Sequence, residues 1–186
     1  MMTWIFLILA GLAVAGIVIF NRLVEYRNQT LAGWSDIDVQ LTRRHDLVPQ
    51  LVKAVQAYAG YERATLEAVT ELRARSEAAH HLTDKARLED QMVAGIHRLV
   101  ALAEDYPDLQ ADENFLQLQQ ELSAIEDHLQ YARRFYNGAV RIYNTRLESV
   151  PDLIVARAFG FQPREFFAAD DDEIRAAPRI ELGADR

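Results

Sequence analysis

The sequence predicts an all-α protein: an N-terminal transmembrane helix, then an elongated antiparallel bundle of three long helices plus a short C-terminal helix. Two patterns predict it. Trp4 to Phe20 is an unbroken apolar run, and from Leu31 onward apolar residues recur at steps of three and four without sustained alternation. Composition sets the limits. The chain has 186 residues, half of them hydrophobic and 26% charged, as expected of one ordered domain. A formal net charge of -8 argues against nucleic acid as a partner. With no Cys, disulfides, Cys-zinc sites, iron–sulfur clusters and thiol catalysis are excluded together.

The apolar run is read as a membrane anchor within residues 1–24. Seventeen residues make roughly 26 Å of helix, and Thr3 with Asn21 to Val24 can supply the turn needed to cross about 30 Å of hydrocarbon. Ala13-Val14-Ala15 resembles a signal-peptidase site, which would leave a secreted bundle. Against this, the first three residues carry no positive side chain, and Ile17 to Phe20 extend the run past the site. A buried soluble helix would have to be apolar all round at the extreme terminus. Arg22 and Arg27 flank the run on its C-terminal side only, so the positive-inside rule puts the following domain in the cytoplasm and the N-terminus outside. Gly11 and Ala15 form a small-xxx-small pair suited to packing of two anchors.

The bundle is expected over residues 25–168. Its first ladder runs Leu31, Trp34, Ile37, Leu41, Val48, Leu51, Val55 and Tyr58, then on to Leu66, Val69 and Leu72. Pro49 interrupts it, so the ladder is one kinked helix or two stacked ones. Glu77 to Thr83 is a poor helix segment and reads as a turn, with Thr83 capping the next helix. That helix carries Leu88, Met92, Ile96, Leu99 and Leu102 and stops near Tyr106-Pro107. The third long segment runs from about Asp112 to Val150. Phe115, Leu118, Leu122, Ile125, Leu129, Ala132, Tyr136, Ala139 and Tyr143 form its heptad seam. Gln119 lies outside that series and should face water. Ser149-Val150-Pro151-Asp152 reads as the cap of a short helix that Gly160 ends. Phe159, Phe161, Phe166 and Phe167 should plug the bundle end. Residues 169–186 are acidic and read as a disordered tail.

Chemistry is sparse in the motifs. None of the histidines 45, 80, 81, 97 and 128 pairs with another at i, i+4, and no His-Glu-x-x-His occurs. Neither Glu62 nor Glu126 opens a Glu-x-x-His di-iron motif. There is no phosphate loop and no Gly-x-Ser-x-Gly. No catalytic, metal or cofactor residue is therefore assigned, and an enzyme is expected only as the alternative, an uncharacterised hydrolase or metal enzyme. The most charged signature is Arg43-Arg44-His45-Asp46. On a helix continuing from the anchor, Arg43 lies roughly 35 Å beyond Phe20, far outside the 8–10 Å or so over which lipid charge is felt. Arg43, Arg44, His45 and Asp46 thus form either a partner surface or an internal ion-pair cluster at the distal bundle end. Tyr136-Asn137 and Tyr143-Asn144 are one heptad apart, which puts both tyrosines in the seam with their hydroxyls bonded to polar neighbours.

Three stretches resemble the LemA family. They are Trp34-Ser35-Asp36-Ile37-Asp38-Val39-Gln40-Leu41 running into Arg43-Arg44-His45-Asp46-Leu47-Val48-Pro49; Glu113-Asn114-Phe115-Leu116-Gln117-Leu118; and Tyr131-Ala132-Arg133-Arg134-Phe135-Tyr136-Asn137, continuing through Tyr143-Asn144 to Phe159-Gly160-Phe161. Order and spacing match from the anchor to Phe167, with departures around His80 and in the tail. The resemblance implies a short outer N-terminus, one membrane helix and a cytoplasmic bundle in the bacterial inner membrane. The family it resembles has no established catalytic activity, and the resemblance loosely associates such proteins with membrane or envelope maintenance. The expected role is a non-enzymatic, membrane-anchored scaffold or adaptor, its partners the lipid bilayer, further copies of itself or other membrane proteins.

Overall fold

The computed structural model describes residues 2–59 and 61–168; the expected disordered tail lies outside them. Helix α1 (Met2–Tyr58) is a single 57-residue helix, so the apolar run and the first bundle helix are one element. It is followed by α2 (Arg63–Ala78), α3 (Leu82–Leu102), a 3-10 turn (Ala103–Asp105), α4 (Pro107–Gln110), α5 (Glu113–Glu148) and α6 (Asp152–Ala158). Among the described residues there is no strand.

The ladder breaks after Tyr58, not at Pro49, and α2 is a helix of its own, packed against α3 and α1. Pro49 cannot donate to the carbonyl four residues earlier, that of His45. Arg73 of α2 donates its Nε–H to that carbonyl at 2.8 Å instead. A side chain from a neighbouring helix thus replaces the lost backbone bond, and α1 runs on.

Helix α5 lies antiparallel along α1. Contacts pair Tyr26 with Arg146, Trp34 with Tyr136 and Arg44 with Glu126. Gly33 allows the approach: a Cβ there would sit 3.0 Å from the Phe135 ring and 3.2 Å from the Tyr136 backbone. The α2–α3 hairpin packs on the other side, where a Cβ on Gly95 would come within 2.7 Å of Val69. Three apolar clusters stack along this frame. The basal one holds Leu23, Tyr143, Leu147 and Ala156. The middle one includes Ile37, Leu41, Leu129, Tyr136 and Phe167. The distal one includes Val48, Leu51, Val69, Met92, Leu99, Phe115 and Leu122.

Local details refine the caps. Asp112, where the third long segment is expected to begin, caps α5 and accepts from the Phe115 N–H at 3.0 Å. Thr83 lies inside α3, whose N-cap is His81; the Leu82 N–H donates to the Glu165 carboxylate at 3.2 Å. Ser149 closes α5, its hydroxyl donating back to the Thr145 carbonyl, and Pro151 stands at the N-cap of α6. Gly160 has φ +70, the left-handed conformation that ends the short helix. Gln119 does not face open water: it is half-buried and lines a groove between α3 and α5.

Candidate functional site

Two constructions stand out from ordinary core packing. The first is a charged cluster between the middle and distal apolar layers. Arg44 is 2% exposed and Glu89 is fully buried. Arg44 donates Nη1–H to Glu89 Oε2 at 3.1 Å and Nη2–H to Glu126 Oε2. His45 Nε2 lies 2.7 Å from Glu89 Oε1, and the Ser76 hydroxyl donates to the same oxygen. On the other ring edge, His45 Nδ1 is 3.6 Å from Glu77, which Arg73 pairs at 2.9 Å. Four helices, α1, α2, α3 and α5, therefore meet through one carboxylate and its partners. Burial alone would raise the Glu89 pKa. The hydrogen bonds from His45 and Ser76, with the charges of His45 and Arg44, outweigh it and hold the carboxyl below its ordinary value.

Of the four charged residues expected to act together, Arg44 and His45 are turned into this cluster, while Arg43 and Asp46 are exposed. The cluster lies mid-bundle, not at its distal end: α1 continues to Tyr58 beyond it. Glu89 and Ser76 were not singled out from sequence. Their signal is phase: Glu89 stands three before Met92 in the α3 seam, and Ser76 seven after Val69 in α2, polar residues where the period demands apolar ones.

The second construction is an extended strap, residues 161–168, held against α5. The Asn144 amide donates to the Arg164 carbonyl at 2.9 Å and its oxygen accepts from the Arg164 N–H at 2.9 Å. Asn137 repeats the pattern with Phe167, at 3.1 and 2.9 Å. Seven residues of helix rise about 10.5 Å, and three residues of extended chain span about 10 Å. The two lengths match, so two asparagines one heptad apart grip the strap in register and antiparallel to α5. The Tyr136 hydroxyl donates to the Glu165 carbonyl at 2.8 Å. Burial pushes its pKa up to about 12, with Arg164 opposing and Glu165 adding to the shift. The motif was legible as a repeat of tyrosines; the paired bonds to the strap come from the asparagines, with Tyr136 adding one more.

The four phenylalanines do not form one plug. Phe166 and Phe167 enter the middle layer, Phe167 edge-on to Trp34 at 5.6 Å and under the Arg133 guanidinium at 5.0 Å. Phe159 and Phe161 instead flank Phe20 at the end of the apolar run. Of the residues flanking that run, Arg22 is exposed and Arg27 lies over the Phe161 ring at 5.6 Å. Among the described residues no three His or acidic side chains are grouped as a metal site would require. The grooves along the helices are lined by side chains of mixed character; the one between α3 and α5 carries His97, Ser123, Glu126 and Asp127 beside Ile96 and Leu122.

A long apolar helix end with its side chains unburied by the chain, continuing into an all-helical bundle, defines a membrane-associated helical protein. Comparison with known proteins names the class. The LemA family model matches residues 33–182, and the chain belongs to the LemA family. Protein LemA of Metamycoplasma hominis is 26% identical over 154 residues, covering 82% of this chain and 70% of its own length. Magnetosome protein MamQ 2 of Paramagnetospirillum magneticum is 25% identical over 174 residues, and MamQ of Magnetospirillum gryphiswaldense is 23% identical over the same span. Each comparison covers 80% of this chain but only 64% of the MamQ relative.

Proposed function

We propose that this protein is a non-enzymatic, single-pass scaffold whose helical rod stands on the cytoplasmic face of the inner membrane, with the short N-terminus outside. The reading divides the chain into an anchor (1–24), a bundle (25–168) and an acidic tail (169–186). One observation carries it: anchor and bundle share the uninterrupted α1, so the bundle is mounted on the membrane helix without a linker. A structural role for the polar cluster supports this reading: Arg44, His45 and Glu89 pair with one another inside the bundle.

Self-association is part of the proposal, and a second seam on the outside of α5 supports it. Tyr131, Phe135, Gly138 and Ile142 follow one another at steps of four, three and four and are exposed, with Val39 of α1 alongside. Copies entering one bilayer in the same sense can be related by a two-fold axis along the rod, which faces such seams toward each other. Arg43 and Asp46, exposed on α1, remain available to other membrane proteins.

The chain has no Cys, so single cysteines report cleanly. A Gln91→Cys chain in intact cells should resist an impermeant maleimide until the membrane is opened. Labelling before lysis would reverse the orientation.

A further inference from the structure

We infer that the bundle ends in a hydrophobic foot that rests in the bilayer interface: residues 150–159, at the turn into α6 and along it, make a second membrane contact beside the anchor. The inference rests on the anchor reading of α1 but not on which side the bundle occupies.

The level of the foot is fixed by contacts. Phe20 closes the apolar run, and its ring meets Phe159 edge-on at 4.9 Å and Phe161 at 5.6 Å. Three residues on, Leu23 is already fully buried in the basal cluster with Tyr143, Leu147 and Ala156. The base of the bundle thus begins where the apolar run stops, and α6 is folded beneath the end of α5 at that level. One side of α6 is inward: Asp152 and Ala156 are buried, and Arg146 reaches Asp152 at 3.6 Å. The other side leaves Val150 75%, Ile154 66% and Phe159 65% exposed.

Val150 in the turn, Ile154 on α6 and Phe159 after it thus present apolar surface at the base of the bundle, where water would gain nothing from it. At the edge of a bilayer the same three residues face acyl chains, and the exposed Arg157 and Arg22 stand at headgroup depth. The patch is continuous with the anchor through the Phe20–Phe159 contact, which is why its occupant is lipid and not a detached partner. A second contact also removes a freedom that a lone helix leaves: it resists rotation and tilt of the rod about its anchor.

The test uses the full chain in phosphatidylcholine–phosphatidylglycerol vesicles. Single cysteines at Ile154→Cys, Phe159→Cys, Val14→Cys and Gln91→Cys carry an environment-sensitive fluorophore. The expected result is quenching by spin-labelled lipid at 154 and 159 several-fold above that at 91. Quenching at 14 alone would overturn the foot and leave the anchor standing; absence of quenching at 14 would overturn both. Blue-shifted emission at 154 without lipid quenching would mean that protein covers the patch, and would also overturn the proposal. Ile154→Glu should expose the label at 159 to water while leaving thermal unfolding unchanged. Unfolding by that change would make Ile154 a core residue and end the proposal.

Discussion

Replacing Glu89 with Gln tests the cluster at its centre. The change keeps side-chain shape and can still accept from Ser76, but it removes the charge that faces Arg44 and His45. Arg44 is 2% exposed, so little of it can be solvated in place of the lost partner. It would keep only Glu126, whose side chain is 30% exposed and therefore partly screened. Breaking a buried ion pair by removing one partner costs about 3–5 kcal/mol. The retained Glu126 contact argues for the lower end, about 3 kcal/mol, which lowers Tm by roughly 6–12 °C for a domain of this size. The assay is thermal unfolding of the full chain in detergent, followed by circular dichroism. Replacing Arg44 with Met alongside Glu89→Gln removes both charges, keeps an acceptor for Ser76, and should recover most of the loss. The pH dependence has a defined sign. Glu89 is held below its ordinary value of 4.5 when folded, so its contribution is present above that value and is lost as pH falls through the lower, folded pKa. Glu89→Gln should flatten that part of the acid limb. A Gln variant as stable as the parent, with an unchanged acid limb, would refute the cluster as a stabilising element.

Leu122 is buried in the distal layer, and Leu122→Ala should cost about 2–5 kcal/mol in chemical denaturation, whereas exposed Gln120→Ala should change stability by no more than about 0.5 kcal/mol. Asn137→Ala and Asn144→Ala each remove two hydrogen bonds from the strap, or about 1–3 kcal/mol apiece; the double variant should be cleaved by protease within residues 161–168 while α1–α5 stay intact. Tyr136→Phe should remove an ionisation near pH 12 from the ultraviolet titration. Val14→Arg puts a charge mid-anchor, at about 2.5–3.5 kcal/mol on insertion scales, and should release the protein into the carbonate-soluble fraction.

Local and periodic information was readable in the sequence. The apolar run, the three–four ladders, the turn before α3, the start of α5 near Asp112 and the Gly160 stop all express short-range rules, and the structure follows them. The misreadings arise where a distant residue intervenes. Pro49 left one kinked helix or two stacked ones open because its lost hydrogen bond is local, whereas the replacement donor, Arg73, belongs to another helix. Thr83 looked like a cap because the acceptor near α3 comes from Glu165 on the strap. Glu89 was passed over because a lone acidic residue on a helix usually faces water; only the meeting of four helices explains it. Phe159, Phe161, Phe166 and Phe167 are adjacent in sequence, but Gly160 and the strap carry them to two levels of the bundle.

The central claim is that the membrane helix and the first bundle helix are one rigid element. Spin labels at Val14→Cys and Thr42→Cys, both exposed on α1, are separated by 28 residues of uninterrupted helix, or about 42 Å. Double electron–electron resonance in vesicles, with labelled chains diluted by unlabelled ones, measures that distance across the point where α1 leaves the bilayer. A single narrow distribution near that value is expected. A broad distribution, or a mean well below it, would put a hinge between anchor and bundle and contradict the account.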